Sequence, residues 1–204
     1  MHSMKNTVLQ HPPEDPEIGK HYLFYLHGLI VEVAGIRPKN EEHGYYEYEL
    51  ILKELAKEGF IVISEARKKD TQVKPYAEKV ASQIKTLIKK GIPPEQITIC
   101  GASKGGIIGS YISSQLMDKR INYVFLAGLF EKCLVDKELK LYGNVFSIHD
   151  RSDKLGMTPK LYFQRSEGLG NFEAVILDLD KGHGIIYQPY REWIDPMMKW
   201  LRIT

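Results

Sequence analysis

Short apolar segments alternate along the chain with longer segments in which apolar residues recur every three or four positions. The short segments predict buried β-strands, and the helical spacing predicts amphipathic helices that cover them. We predict strands at residues 22–26, 60–63, 97–100, 122–127, 144–148 and 172–177, with an edge strand at 7–9. We predict helices at about residues 43–57, 75–90, 105–117, 159–166 and 190–201. This alternation is typical of an α/β fold in which helices cover both faces of a mostly parallel central sheet.

Three of these helices have a defined apolar face. The inward residues are Tyr46, Leu50, Ile51, Leu55 and Ala56 in the first helix, Val80, Ile84, Leu87 and Ile88 in the second, and Trp193, Met197 and Trp200 in the last. Gly59 and Gly91 mark the ends of the first and second helices. A long loop is expected between the strand at 22–26 and the first helix. A second loop, at 128–141, should contain one short helix and is too short for a large lid.

The length of 204 residues predicts a single domain with a sizeable core. Pro12, Pro13 and Pro16 interrupt the first twenty residues, where long regular elements are therefore not expected. We predict an N-terminal arm at residues 1–20, followed by one α/β domain at residues 21–204.

One tight turn in the middle of the chain carries the strongest chemical signal. Ser103 lies between Gly101 and Gly105, directly after the apolar strand at 97–100 and before a segment with helical spacing. The pattern Gly-x-Ser-x-Gly in this position is typical of the turn that presents a nucleophilic serine. The serine adopts a strained backbone so that its hydroxyl stands clear of the sheet. A side chain at position 101 or 105 would then collide with a neighbouring strand or helix.

Two other interpretations of this turn are open. It is compatible with a glycine-rich connection in which Ser103 only caps the following helix. It also resembles part of a phosphate-binding loop, because a lysine and two glycines follow the serine. Such a loop ends in Gly-Lys-Ser or Gly-Lys-Thr, and no lysine stands between Gly109 and Ser110, which makes this the weakest of the three interpretations.

A serine hydroxyl needs a general base, most often a histidine that a carboxylate orients. In an open parallel sheet the reactive side chains gather at the carboxyl ends of the strands. His183 follows the last predicted strand and stands between two glycines, and Asp150 and Asp153 follow the strand at 144–148. These positions make His183 the candidate base and leave the two aspartates as alternative acids.

The chain order serine, aspartate, histidine is that of the α/β hydrolases, and residues 22–204 resemble a small member of that superfamily without a lid. Four segments carry the resemblance: 27–29, 101–105, 149–153 and 182–184. In the family's His-Gly-x-x-Asp stretch the last residue is the acid, which favours Asp153, although Asp150 here replaces the glycine. The resemblance thus implies a triad of Ser103, Asp153 and His183.

The same resemblance implies a mechanism and a class of substrate. The backbone N–H groups of Leu29 and Lys104 are expected to stabilise the oxyanion, with Gly28 as an alternative donor next to the substrate. We expect a serine esterase that forms an acyl-enzyme and needs no cofactor, with a thioester as the second choice of substrate. The alternative from another class is a hydrolase fold that binds a ligand without catalysis.

Several charged and polar residues near the expected site remain ambiguous. The strand at 60–63 is followed by a charged segment that contains Arg67, Lys68 and Lys69. Arg67 could attract an anionic group of the substrate, but an exposed charged loop is the more common explanation. His27 and His149 are expected to be packed, hydrogen-bonded structural residues.

Composition and charge argue against several other functions. The formal net charge of +2, with acidic and basic residues intermixed, does not build a nucleic-acid-binding surface. No apolar segment reaches the roughly 18 residues of a membrane span, and no export signal is recognised. Cys100 and Cys133 do not make a disulfide framework, and Cys100 should be buried and unreactive. We therefore expect a cytoplasmic enzyme with a small-molecule acyl substrate and without a metal, because no two histidines have ligand spacing.

Overall fold

The computed structural model describes residues 7–202 and contains a seven-stranded sheet and a short hairpin. In chain order the strands are β1 (Val8–Leu9), β2 (Tyr22–Leu26), β3 (Lys39–Asn40), β4 (Gly44–Tyr45), β5 (Ile61–Ile63), β6 (Ile97–Ala102), β7 (Asn122–Leu126), β8 (Tyr142–Asp150) and β9 (Gly168–Leu177). The sheet has the order β1-β5-β2-β6-β7-β8-β9 with every neighbouring pair parallel, and β3 and β4 form the hairpin. The carboxyl ends of all seven sheet strands therefore lie along one edge.

Helices cover both faces of this sheet. The α-helices of the described chain are α1 (Leu29–Ala34), α2 (Tyr48–Lys57), α3 (Val73–Lys89), α4 (Lys104–Leu116), α5 (Pro159–Arg165) and α6 (Arg191–Leu201). Short 3-10 helices lie at Pro94–Gln96, Glu131–Val135 and Gly182–Ile186. Ile51 of α2 and Trp193 of α6 belong to the core on one face, whereas Ile84 of α3 and Ile112 of α4 belong to the core on the other. Because both faces are covered, β2 and β7 are buried along their whole length.

The predicted fold class is confirmed, and so are the predicted sheet strands, with shifted boundaries. The edge strand expected at residues 7–9 is present, and Val8 lies opposite Val62 of β5. Trp193, Met197 and Trp200 are buried as expected for the inward face of the last helix. The inward face of this helix could be predicted because the spacing of apolar residues determines which side chains lie on one face.

The region between β2 and α2 differs from the prediction. The expected long loop contains helix α1 and the hairpin, and the helix predicted from about residue 43 begins at Tyr48. The hairpin turns at residues 41–43 and pairs Asn40 with Gly44, whose φ of +77° suits glycine, so the residues predicted to begin the helix belong to the hairpin instead. The inward face of α2 also differs from the prediction: Leu50 is 40% exposed, and Leu52 is buried instead.

Strand β8 extends further than predicted, and this changes the setting of two candidate residues. His149 and Asp150 belong to the strand, opposite Ile176 and Leu177 of β9, whereas Asp153 lies in the loop beyond. The extra residues are held by pairing with β9, which begins four residues before the predicted strand at 172–177. The pairing of β8 with β9 depends on the tertiary structure. The sequence pattern alone therefore predicted an end of β8 that is too early.

The predicted arm and domain extend beyond the described residues at both ends. Residues 1–6 of the arm and residues 203–204 of the domain lie outside them, and β1 adds the described part of the arm to the sheet. No helix among residues 7–202 combines the length and the apolar character needed to cross a bilayer. Cys100 is buried in β6 as expected, and burial raises the pKa of its thiol to about 12.

Candidate active site

Ser103 stands at the apex of a turn between β6 and α4. Its φ is 51° and its ψ is −117°, a backbone conformation that L side chains rarely adopt. The Ser103 N–H donates a hydrogen bond of 3.1 Å to the carbonyl oxygen of Leu126 in the neighbouring strand β7. This bond anchors the strained residue to the sheet, so the hydroxyl is presented beyond the carboxyl end of β6.

Three glycines allow this turn to form. A Cβ atom on Gly105 would lie 1.8 Å from the carbonyl oxygen of Leu26, and one on Gly101 would lie 2.5 Å from the carbonyl oxygen of Gly105. A Cβ atom on Gly106 would lie 2.5 Å from the Cα of Gly128. The predicted collisions at positions 101 and 105 are therefore confirmed, and close backbone packing adds position 106 to them.

The structure brings Ser103, His183 and Asp153 together in one line of hydrogen bonds. His183 Nε2 lies 2.8 Å from Ser103 Oγ, and His183 Nδ1 lies 2.7 Å from Asp153 Oδ2. An ionised carboxylate only accepts, so the Nδ1–H donates to Asp153 and Nε2 accepts from the Ser103 hydroxyl. This tautomer leaves His183 able to remove the serine proton.

Hydrogen bonding keeps the Asp153 carboxyl ionised although the side chain is buried. Its side chain is fully buried, which by itself would raise its pKa. The hydrogen bonds from His183 and from the Leu155 N–H outweigh this effect, and the pKa of Asp153 lies below its ordinary value. The carboxylate can therefore orient the imidazole and balance a positive charge on it.

Asp150, the alternative acid, has different partners. Its Oδ1 accepts from the N–H (2.9 Å) and the hydroxyl (2.5 Å) of Ser152, and its Oδ2 accepts from the Leu179 N–H (2.9 Å). Burial would raise its pKa, but these hydrogen bonds lower it below the ordinary value. The Ser152 hydroxyl oxygen in turn accepts from the Gly182 N–H at 2.9 Å. Asp150 thus ties the loop that carries Asp153 to the loop that carries His183.

Leu29 and Lys104, the expected oxyanion donors, are the first residues of α1 and α4. A first helical residue has no intrahelical acceptor for its N–H. A Cβ atom on Gly28 would lie 3.5 Å from the Ser103 Cβ, so the peptide that precedes Leu29 packs against the serine turn. The N–H of Gly28 faces the Tyr46 hydroxyl at 3.5 Å, which makes Gly28 the less suitable of the alternative donors.

His27 orients the peptide between Gly28 and Leu29. The Arg67 N–H donates to His27 Nε2 at 2.8 Å, so Nδ1 carries the proton and donates to the Gly28 carbonyl oxygen at 2.8 Å. Burial and the charge of Arg67 lower the pKa of His27 to about 3, so the ring stays neutral. In a trans peptide the C=O and N–H point in opposite directions, and the Leu29 N–H is therefore turned away from the buried ring.

The expectations for two other residues need correction. Arg67 is neither an exposed loop residue nor free to meet a substrate anion: its side chain is fully buried, and its Nε donates to Glu32 Oε1 at 2.7 Å. His149 is half-buried, but its Nδ1 has no hydrogen-bond partner among the described residues. Burial lowers the pKa of His149, against the opposing effect of Asp153 and Asp150.

Sequence reasoning missed Glu32 and Phe130. Glu32 is buried and accepts from Arg67 and from Lys104, whose Nζ lies 2.6 Å from Glu32 Oε2. Glu32 is the single charged residue in the otherwise apolar segment 29–34, and this isolated charge could have indicated a buried ion pair. Phe130 packs its ring against His183, with ring centroids 6.3 Å apart, but no local pattern distinguishes it from an ordinary core residue.

Ser103 is half-buried, and an exposed apolar residue follows the peptide that packs against its turn. Leu29 is 49% exposed beside the serine turn, and the region at 128–141 contains only the short 3-10 helix Glu131–Val135. Among residues 7–202 no three His, Cys, Asp or Glu side chains are grouped so that they could hold a metal ion. The arrangement can chemically activate a serine hydroxyl by proton transfer, beside two backbone donors and an accessible apolar surface.

Comparisons with known proteins give matches of structure only. No protein-family model and no curated protein sequence matches the chain. A thermophilic esterase from Thermogutta terrifontis with butyrate bound is similar, with a TM-score of 0.61 and 10% identity over 94% of this chain and 87% of that one. So is a YdeN-like hydrolase from Pectobacterium atrosepticum, with a TM-score of 0.56 and 12% identity over 90% and 92%.

Arabidopsis thaliana SOBER1 is a third similar structure, with a TM-score of 0.55 and 14% identity over 90% of this chain and 98% of that one. At such low identities the likeness concerns the fold. It agrees with the parallel sheet order, the serine turn after β6 and the histidine loop after β9. The chain therefore has the α/β-hydrolase fold.

Proposed function

We propose that this protein is a serine hydrolase that cleaves a carboxylic ester through an acyl-enzyme. The observation that carries this proposal is the continuous hydrogen-bond line from Asp153 through His183 to Ser103. Each of the three residues lies beyond the carboxyl end of a different strand. A core that served only folding would gain nothing from a serine held at a strained φ of 51°.

The proposed reaction begins when the Ser103 hydroxyl attacks the acyl carbon of the ester. His183 Nε2 takes the hydroxyl proton as the new C–O bond forms, and Asp153 stabilises the resulting imidazolium. His183 then gives that proton to the leaving alcohol as the ester C–O bond breaks. Water attacks the acyl-enzyme in the same way, with His183 as the base, and releases the carboxylic acid together with free Ser103.

The negative oxygen of each tetrahedral intermediate would be met by the N–H groups of Lys104 and Leu29. The first turn of α4, a helix of 13 residues that starts directly after Ser103, adds the positive end of its dipole. The fixed Gly28 carbonyl supports Leu29 as the second donor, because it turns the Leu29 N–H away from the buried His27 ring. No step of this scheme requires a cofactor.

Two features favour a small ester of an apolar acid as substrate. The Leu29 side chain is exposed, and the segment 128–141 is too short for a large lid, so a short acyl chain can lie on this surface. The similar Thermogutta esterase has butyrate bound. Thioesters remain the second choice of substrate because the same triad chemistry cleaves them.

The test is covalent labelling with a fluorophosphonate, combined with p-nitrophenyl esters and acyl thioesters of graded chain length. Wild-type protein should be labelled once and should hydrolyse the short esters best. Ser103→Ala should lose labelling and about a million-fold in turnover, whereas Ser82→Ala, an exposed serine on α3, should keep both. A folded wild-type protein that neither labels nor hydrolyses would instead favour a binding protein with a silent hydrolase fold.

A further inference from the structure

Three charged side chains from distant parts of the chain meet in the interior next to the serine turn. Glu32 of α1 accepts from Arg67 Nε (2.7 Å) through Oε1 and from Lys104 Nζ (2.6 Å) through Oε2. The side chains of Glu32 and Arg67 are fully buried, and that of Lys104 is 16% exposed. We call these three residues the Glu32 cluster.

The Glu32 cluster needs an explanation because buried charges are costly. Removing ions from water has a large penalty, and apolar residues of similar volume often give a more stable core. The proposed reaction does not use any of the three charges directly. A buried network of charged hydrogen bonds can hold the elements that it joins in one arrangement.

Each member of the cluster is attached to a part of the proposed oxyanion site. Glu32 lies three residues after Leu29 on α1, and the backbone N–H of Lys104 is the other proposed donor. The guanidinium of Arg67 donates through Nη2 to the carbonyl oxygen of His27, and the Arg67 N–H fixes the His27 ring that holds Gly28. The Glu32 carboxylate therefore connects the two elements from which the two donors project.

We propose that the Glu32 cluster is a positioning device that sets the distance and direction between the Leu29 and Lys104 N–H groups. Glu32, Arg67 and the Lys104 side chain act through the backbone donors and do not touch the substrate. This inference rests on the proposed function, since it assigns the cluster to the oxyanion site of that reaction. Because catalysis depends steeply on donor placement, a shift of about 1 Å can cost roughly a hundred-fold in rate.

The main variant is Lys104→Met, which keeps the backbone donor and leaves Glu32 paired with Arg67. Turnover is measured per reactive site, with sites counted by fluorophosphonate titration so that misfolded protein is not counted. We expect kcat per site to fall about 10- to 100-fold with KM within about twofold. Affinity for an alkylboronic acid, which forms a tetrahedral adduct with the serine, should fall by a similar factor.

Two further variants separate positioning from general stability. Lys104→Arg can still donate to Glu32 and should restore kcat to within about threefold of wild type. Lys57→Met removes a more exposed ion pair, with Glu54 on the same helix α2, and should leave kcat and boronic acid affinity unchanged. An unchanged kcat per site in Lys104→Met would overturn the proposal and make the cluster purely structural.

Glu32→Gln tests whether the cluster acts through its charge instead. This variant keeps Arg67 and Lys104 positive and so increases the positive charge near the oxyanion. A charge effect would then maintain or raise kcat per site, whereas loss of the connection should lower it about 10- to 100-fold. An equal or faster Glu32→Gln enzyme overturns the positioning role. A wild-type protein without labelling or turnover would reject the proposed function itself, and the cluster's role with it.

Discussion

The side chains of His183 and Ser103 are 80 positions apart in the chain, yet a hydrogen bond of 2.8 Å joins them. The 3-10 helix Gly182–Ile186 carries the histidine beyond β9, and the turn after β6 carries the serine. Two strands, β7 and β8, lie between β6 and β9 in the sheet. Contact across that distance is possible because all these loops leave the same edge and Asp153 holds the imidazole from the far side.

This relationship predicts a pH dependence of the proposed activity. His183 must be neutral to accept the Ser103 proton, so only enzyme with a deprotonated imidazole can react. For a neutral ester, kcat/KM should therefore rise with pH through a single ionisation and reach a plateau. His183→Ala should remove nearly all activity, and its residual rate should lose this ionisation. If the variant kept the profile of the wild type, another group would be the base.

Asp150, the last residue of β8, and Asp153, in the loop beyond it, should respond differently to the loss of charge. Asp153→Asn should lower kcat about ten-thousand-fold, because an amide no longer stabilises the correct tautomer of His183. Asp150→Asn should cost far less in kcat but should destabilise the fold, since the Asp150 carboxylate accepts from Ser152 and Leu179. Steady-state kinetics and urea unfolding of both variants check this, and the reverse order of kinetic defects would make Asp150 the acid.

Neutral His27 should make the stability of the fold depend on pH. The unfolded histidine binds a proton below about pH 6.5, whereas the folded residue, with its pKa lowered to about 3, does not. The free energy of unfolding should therefore decrease as the pH falls from about 6.5 towards 3, by up to about 1.4 kcal/mol per pH unit from this residue.

His27→Gln retains an acceptor for the Arg67 N–H but has no titrating ring. Urea unfolding at several pH values should show that this variant is less stable at pH 7.5 by about 1–3 kcal/mol. Between pH 4 and 6 the free energy of unfolding of this variant should fall less steeply with decreasing pH than that of wild type. The difference in slope should be up to about 1.4 kcal/mol per pH unit, which corresponds to one proton. Equal slopes in the two proteins would mean that His27 does not remain neutral in the fold.

The glycines of α4 provide a test of the serine turn. Gly105→Ala would place a Cβ atom 1.8 Å from the Leu26 carbonyl oxygen, so β2 and α4 would have to separate, at a cost of about 3 kcal/mol or more. Gly109→Ala, in the same helix, meets side chains only at ordinary or slightly tight distances, the Phe125 ring edge at 3.3 Å and Ile99 Cγ2 at 3.6 Å, and should change stability by about 1 kcal/mol or less. Urea unfolding measures both, and similar costs would contradict the close approach of α4 to β2.

The sequence by itself determined those features that depend on neighbouring residues in the chain. Apolar periodicity predicted the sheet strands and most helices, and the glycines around Ser103 predicted the turn, because only glycine fits where backbones nearly touch. The order of Ser103, the two aspartates and His183 then placed the candidate residues at one edge of a parallel sheet.

Only the tertiary structure decided what depends on partners distant in the chain. Asp150 and Asp153 have the same side chain and lie three residues apart. Their hydrogen-bond partners distinguish them, because Ser152 and Leu179 donate to the carboxylate of Asp150. Arg67 looked like an exposed charge until Glu32, 35 residues away, was found beside it in the interior. A hydrogen bond or ion pair between remote segments leaves no periodicity in either segment, and this is why the sequence could not predict the Glu32 cluster.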